Sequence, residues 1–155
     1  LKKLKLFVSA TLIFLFGFVS GVYTLPIMMA PPSPSMLEFA TATLNTKYQA
    51  TIKDSLSGSD FLHFGEGTFS LSDKNIVFQG KLAPGPDYQI YLSPTFVEDE
   101  AQFLQHKQKM VRVGEVKSFN GFISAVPQHI KINDYSNIVI WCEAFQEFIT
   151  TANYK

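Results

Sequence analysis

Hydrophobic and polar positions obey two different rules along this chain, and the change falls near Ala30. From Leu6 to Met29 no charged residue interrupts a nearly continuous apolar run that includes Leu12-Ile13-Phe14-Leu15-Phe16 and Leu25-Pro26-Ile27-Met28-Met29. As a helix rising about 1.5 Å per residue, this run spans roughly 36 Å, enough to cross a hydrocarbon core of about 30 Å with some tilt. A cleaved signal peptide is the rival reading. Its apolar region is normally about 7 to 15 residues and ends at small residues, whereas here the run is longer and its small-residue end, Met28-Met29-Ala30, is followed by Pro31. An uncleaved anchor is the expectation.

Beyond Ala30 the pattern shortens. Ala30-Pro31-Pro32-Ser33-Pro34-Ser35 reads as a stiff proline-rich spacer. Lys47 to Lys53 then alternates with period two, as a half-buried strand does. Six further strand candidates are Gly67–Leu71, Ile76–Leu82, Tyr88–Leu92, Met110–Val116, Gly121–Val126 and Ile138–Cys142. Turn chemistry separates them: Ser57-Gly58-Ser59-Asp60, Ser72-Asp73-Lys74-Asn75, Pro84-Gly85-Pro86-Asp87, Asn120-Gly121 and Asn133-Asp134. Asn120-Gly121 suits a hairpin. Ala144 to Ile149 fits a strand or a helical turn equally well. One stretch departs from the β pattern, Val97 to Lys109, with acids at its start and bases at its end, the polarity that complements a helix dipole.

Many short strands at this spacing predict an all-β domain, an antiparallel β-sandwich or barrel, preceded by a single N-terminal transmembrane helix. The expected divisions are residues 1–30 as cytoplasmic stub and transmembrane anchor, 31–44 as proline-rich linker, and 45–155 as an all-β extracytoplasmic domain. Aromatics at 14% and charges at only 17% suit an ordered core rather than disorder. The formal net charge is zero, and no basic patch points to nucleic acid. Lys2, Lys3 and Lys5 precede the apolar run, while no Lys or Arg clusters just after it. The positive-inside rule therefore predicts a single-pass protein of the cell membrane, N-terminus cytoplasmic and C-terminal domain periplasmic. Gly17 and Gly21 have the G-x-x-x-G spacing that brings membrane helices together, a weak signal in a glycine-tolerant setting.

Candidate chemistry narrows to a single residue. Cys142 is the one cysteine of the chain, so no intramolecular disulfide and no Cys-x-x-Cys redox or haem-attachment motif exists. His63, His106 and His129 are scattered without zinc-site spacing. The Glu98-Asp99-Glu100 trio reads as a solvated helix start, since consecutive residues do not converge on one ion. Gly65-Glu66-Gly67 leads into an apparent strand, which excludes a phosphate loop, and no nucleophile elbow or nucleotide fingerprint appears. An unperturbed thiol titrates at about 8.5 and needs a cation or helix N-terminus to become reactive. Cys142 has Trp141, Glu143 and β-branched aliphatics instead, which favours an inert or ligating thiol over a nucleophilic one and gives no support to an enzyme. A strand would place Ile138, Ile140 and Cys142 on one face and Val139, Trp141 and Glu143 on the other.

Three segments in order, Leu82–Ser93, Val113–Gly121 and Tyr135 followed by Val139–Phe145, resemble the DM13 domain, a family described as an electron-transfer module. The resemblance runs from about Gly65 to Tyr154 and leaves out the anchor, the spacer and the strand around Tyr48. It implies an all-β extracytoplasmic domain, which the N-terminal apolar run makes part of a membrane-anchored, bacterial-type protein. It also implies that Cys142, matching the family's characteristic cysteine, acts in redox chemistry as a bare thiol or as a ligand for a group such as non-covalent haem; were haem bound, Met110, His63, His106 or His129 would be the candidates opposite, and nothing in the spacing selects among them. Gly85, Pro86, Asp87, Tyr88, Asn120, Gly121 and Trp141 match the family motifs and have structural explanations: Gly85 and Pro86 for a tight turn, Asp87 for bonds to neighbouring backbone amides.

Two functions of different class follow. In the first, the domain transfers electrons through Cys142, which needs a cofactor or a redox partner's thiol in the envelope because one cysteine cannot cycle alone. In the second, a non-catalytic β-sandwich binds a protein or carbohydrate partner, and Cys142 packs in its core, as free cysteine commonly does. A disulfide-linked dimer through Cys142 is a third possibility, disfavoured by the apolar flanks.

Overall fold

The computed structural model describes residues 1–155. Helix α1 runs Lys2–Met29 and α2 Met36–Thr43; strands β1 (Tyr48–Thr51), β2 (Gly65–Leu71), β3 (Asn75–Leu82) and β4 (Tyr88–Ser93) follow. After α3 (Glu100–His106) come β5 (Val111–Glu115), β6 (Phe122–Ala125), β7 (Asn137–Cys142) and β8 (Glu147–Asn153). Two four-stranded sheets form, β1-β2-β3-β6 and β5-β4-β7-β8, with antiparallel pairing throughout. The sheets do not close into a barrel, so of the two expected architectures the sandwich is the one adopted. Nor is the chain purely all-β, because three α-helices accompany the strands.

Facing side chains of the two sheets make the core. In the first sheet Phe69 lies opposite Phe78, and Phe78 opposite Phe122. Their rings pack with centroids 4.7 Å and 5.4 Å apart. In the second, Ile90 lies opposite Ile140 and Leu92 opposite Ile138, all fully buried. Strands β4 and β7 are the two central strands of that sheet, and every residue of both is buried. Their outer face therefore needs a cover, and α3 supplies it: Phe103 stacks on Trp141 with centroids 3.9 Å apart and planes 10° from parallel. Asp99 caps α3 by accepting from the Gln102 amide at 2.8 Å, so the acidic trio opens a helix, as its order implied.

Two expectations need correction. The linker expected over 31–44 contains α2, which packs on β3. Its start is a capping box: Ser35 Oγ accepts from the Glu38 amide at 3.3 Å, and the Ser35 amide donates to Glu38 Oε2 at 2.7 Å. Prolines before it masked a signal that Ser-x-x-Glu carries openly. Asn120-Gly121 does not close a hairpin either, because β5 and β6 belong to different sheets. The turn crosses from one layer to the other. Gly121 has φ +103°, and a Cβ there would lie 2.9 Å from the Phe39 ring of α2, so both the backbone and the packing call for glycine.

Helix α1 has no buried residue, and an 18-residue window within it has a mean hydropathy of 2.1. It is long and apolar enough to cross a membrane.

Candidate functional site

Cys142 ends β7, where it pairs with Tyr88 on one side and Glu147 on the other. It points inward with Ile138 and Ile140, the face predicted by strand alternation, and is 2% exposed. Its thiol donates to the Pro86 carbonyl at 3.1 Å. Burial pushes the Cys142 thiol up; the backbone amides of Phe145 and Ala144 oppose this, and the Asp87 and Glu147 carboxylates add to it. At neutral pH the group is a protonated, unpaired thiol.

The segment that holds it is the turn before β4. A Cβ on Gly85 would fall 2.4 Å from the Tyr88 hydroxyl, so only glycine lets the turn lie against that ring. Asp87 takes a left-handed φ of 52°, and its carbonyl accepts from the Glu143 amide at 3.1 Å. Its carboxylate accepts from the Gln89 side chain at 2.6 Å rather than from a backbone amide as expected. Tyr88, whose phenol is raised by burial and by Cys142, packs edge-on against Phe119 at 5.8 Å.

Beside the thiol lies a cavity of about 230 Å³, walled by Pro84–Pro86, Tyr88, Cys142 and Ile149, with His63, Glu147 and Phe145 at its sides and Val22 and Tyr23 of α1 across it. The structure thus brings Gly85, Pro86, Tyr88 and Cys142 together, and adds His63, which sequence spacing could not link to a cysteine so far along the chain. Met110 packs elsewhere against the core, and His106 and His129 do not line the cavity. His63 is engaged with Asp60 through Nδ1 at 3.1 Å. No group of three or more His, Cys, Asp or Glu side chains converges in a metal-binding arrangement.

Across the sheet from Cys142 is a second polar cluster. Glu143 accepts from the Tyr91 hydroxyl and from Lys107 Nζ, the latter at 2.7 Å. Burial pushes the Glu143 carboxyl up, and the hydrogen bonds from Lys107 and Tyr91 outweigh it and hold the group below its ordinary value. Lys107 Nζ lies 5.6 Å from the Phe103 ring centroid and 5.8 Å from those of Tyr91 and Trp141. Trp141 Nε1 is buried without a hydrogen-bond partner. In sequence Glu143 was merely an unhelpful neighbour of the thiol; in space the sheet separates the two, and the carboxylate belongs to the α3 cover.

A family model described as "Electron transfer DM13" matches residues 58–154. The chain belongs to the DM13 family. No curated protein and no solved structure matches it. The DM13 region begins at Gly58, so it includes Cys142, the Pro84–Asp87 turn and the α3 cover, and excludes α1, α2 and β1. β1 nonetheless completes the first sheet of the DM13 sandwich by pairing with β2.

Haem does not fit the DM13 cavity as it stands. About 230 Å³ is below the roughly 300–1,000 Å³ of ligand pockets. Ligation would also require Cys142 to lose a proton that burial retains and to leave the Pro86 carbonyl.

Proposed function

We propose that this protein is a membrane-anchored DM13 domain of the cell envelope that works as a non-catalytic binding module, with Cys142 as a buried packing residue in the wall of its apolar cavity. The observation that carries this reading is the state of the thiol: buried, protonated, committed to Pro86 and without a converging ligand set. The anchor is α1, the linker and α2 lead into the domain, and the sandwich extends to the C-terminal strand. Lys2, Lys3 and Lys5 before the span, with no Lys or Arg from Leu6 to Thr46, support an N-terminus in the cytoplasm and a domain outside it.

Thiol labelling of the intact protein tests the reading. In the native fold Cys142 reacts with a small aromatic disulfide at a rate set by rare opening, and in denaturant it reacts at once. Full labelling of the native protein within seconds would sink the packing role.

Electron transfer is the second reading, favoured by the family description and by the presence of His63 in the same cavity as Cys142. It requires the cavity to widen and the thiol to leave the Pro86 carbonyl, and predicts that the protein supplied with haem then acquires a Soret absorption that Cys142→Ser abolishes. A colourless protein under the same conditions counts against it.

A further inference from the structure

Outside α1, exposed large apolar side chains gather at one end of the sandwich. Phe61 is 83% exposed, Phe145 53% and Leu62 42%, and Met36 and Leu37 stand exposed at the start of α2. Leu44 at the far end of α2 and Leu104 on α3 are the exceptions. The opposite end, beyond Asn137, carries exposed Lys131, Asn133, Asp134 and Lys155.

The apolar end is also where the chain leaves α1. Ser33 Oγ lies 3.2 Å from Ser118 Oγ, beside Phe119, which packs on Tyr88 in the cavity wall. The four residues that follow Met29, Ala30 to Ser33, reach at most about 14 Å, so this end cannot move far from the helix terminus. With Lys5 at the inner boundary, about 20 residues at 1.5 Å each fill a hydrocarbon layer of about 30 Å, which sets the outer boundary near Leu25. Leu62 and Phe145 share an almost wholly apolar groove with Phe18, Val22 and Tyr23, which lie about 3–10 Å on the acyl side of that boundary. Tyr23 is the kind of side chain that favours the interface.

We propose that the cavity end of the domain rests on the outer bilayer surface, with Phe61, Leu62 and Phe145 seated at the boundary between headgroups and acyl chains. The inference rests on the reading of α1 as a membrane span. Asp60 and His63 stand behind the apolar tips at headgroup level, and the cavity lined by Cys142, Leu62 and Phe145 opens towards lipid.

Fluorescence of the full chain in phosphatidylcholine vesicles with brominated acyl chains tests it, taking wild type, with its buried Trp141, as reference. Phe14→Trp reports the span, Phe145→Trp and Phe61→Trp the docked tips, and Lys131→Trp the far end. Quenching of Phe14→Trp, together with quenching of a tip variant at least about twofold above Lys131→Trp, supports the proposal. If Phe14→Trp is quenched while both tips match Lys131→Trp, the domain stands off the membrane and the patch is left to a protein partner, which overturns it. If Phe14→Trp is unquenched, the anchor reading fails first and the proposal with it. Phe61→Trp, at the most exposed of the three tips, keeps the test valid should Phe145→Trp disturb its turn.

Discussion

Replacing Cys142 by alanine and by serine separates a packing thiol from a working one. Alanine removes a buried sulfur and its hydrogen bond to Pro86. A methylene-sized apolar loss costs about 0.8 kcal/mol and a lost hydrogen bond about 0.5–1.5 kcal/mol, so Cys142→Ala should destabilise by about 1–2 kcal/mol. Serine keeps a donor, but the shorter C–O bond draws it back from a carbonyl that the sulfur reaches at 3.1 Å. A stranded buried hydroxyl costs about 1–3 kcal/mol, so Cys142→Ser should be no more stable than Cys142→Ala and possess the same fold. Urea titration of the full chain in detergent, followed by the emission of the adjacent Trp141, measures both. The pH dependence gives a second reading. Because burial raises the folded thiol above its ordinary value, its contribution is complete below that value and declines as pH climbs above it. The stability gap between wild type and Cys142→Ala should therefore narrow in alkali. Serine and alanine variants both within about 0.5 kcal/mol of wild type would refute the reasoning, as would a serine variant that matches wild type while alanine does not.

Trp141→Ala and Phe103→Ala should each cost about 3–5 kcal/mol by urea titration, with the double variant less than additive by about 0.5–1.5 kcal/mol because the two rings stack on one another. Gly85→Ala should cost about 1–3 kcal/mol, since its Cβ overlaps the Tyr88 ring, and should speed native labelling of Cys142; unchanged labelling would detach the turn from the thiol. Glu143, held below its ordinary 4.5 by Lys107 and Tyr91, contributes stability above that pH that is lost as pH falls through its lowered value, so Glu143→Gln should flatten the acid limb of a melting-temperature profile.

Much of this architecture is legible in the residues themselves. Seven strand segments and the polarity of Val97–Lys109 are local signals, because period-two alternation and helix-end charges act over a few residues, and each reappears in the structure. The apolar run of α1 and the inward face of Cys142 follow from composition and from strand geometry alike. What the sequence left open depends on partners distant along the chain. Whether Ala144–Ile149 turned or extended was settled by pairing: Phe148 lies opposite Trp141, and β8 continues to Asn153. Which sheet follows Asn120-Gly121 was decided by where β6 finds an open edge, at β3. The meeting of His63 with Cys142, and of Phe103 with Trp141, joins segments whose separation no spacing rule encodes. Cys142 shows the division most plainly. Its being single, lying in an apolar strand and lacking an activating neighbour can all be read along the chain; the Pro86 carbonyl against the sulfur and the cavity beside it come only with the packed fold, because burial and desolvation are properties of packed surfaces and not of neighbours in the chain.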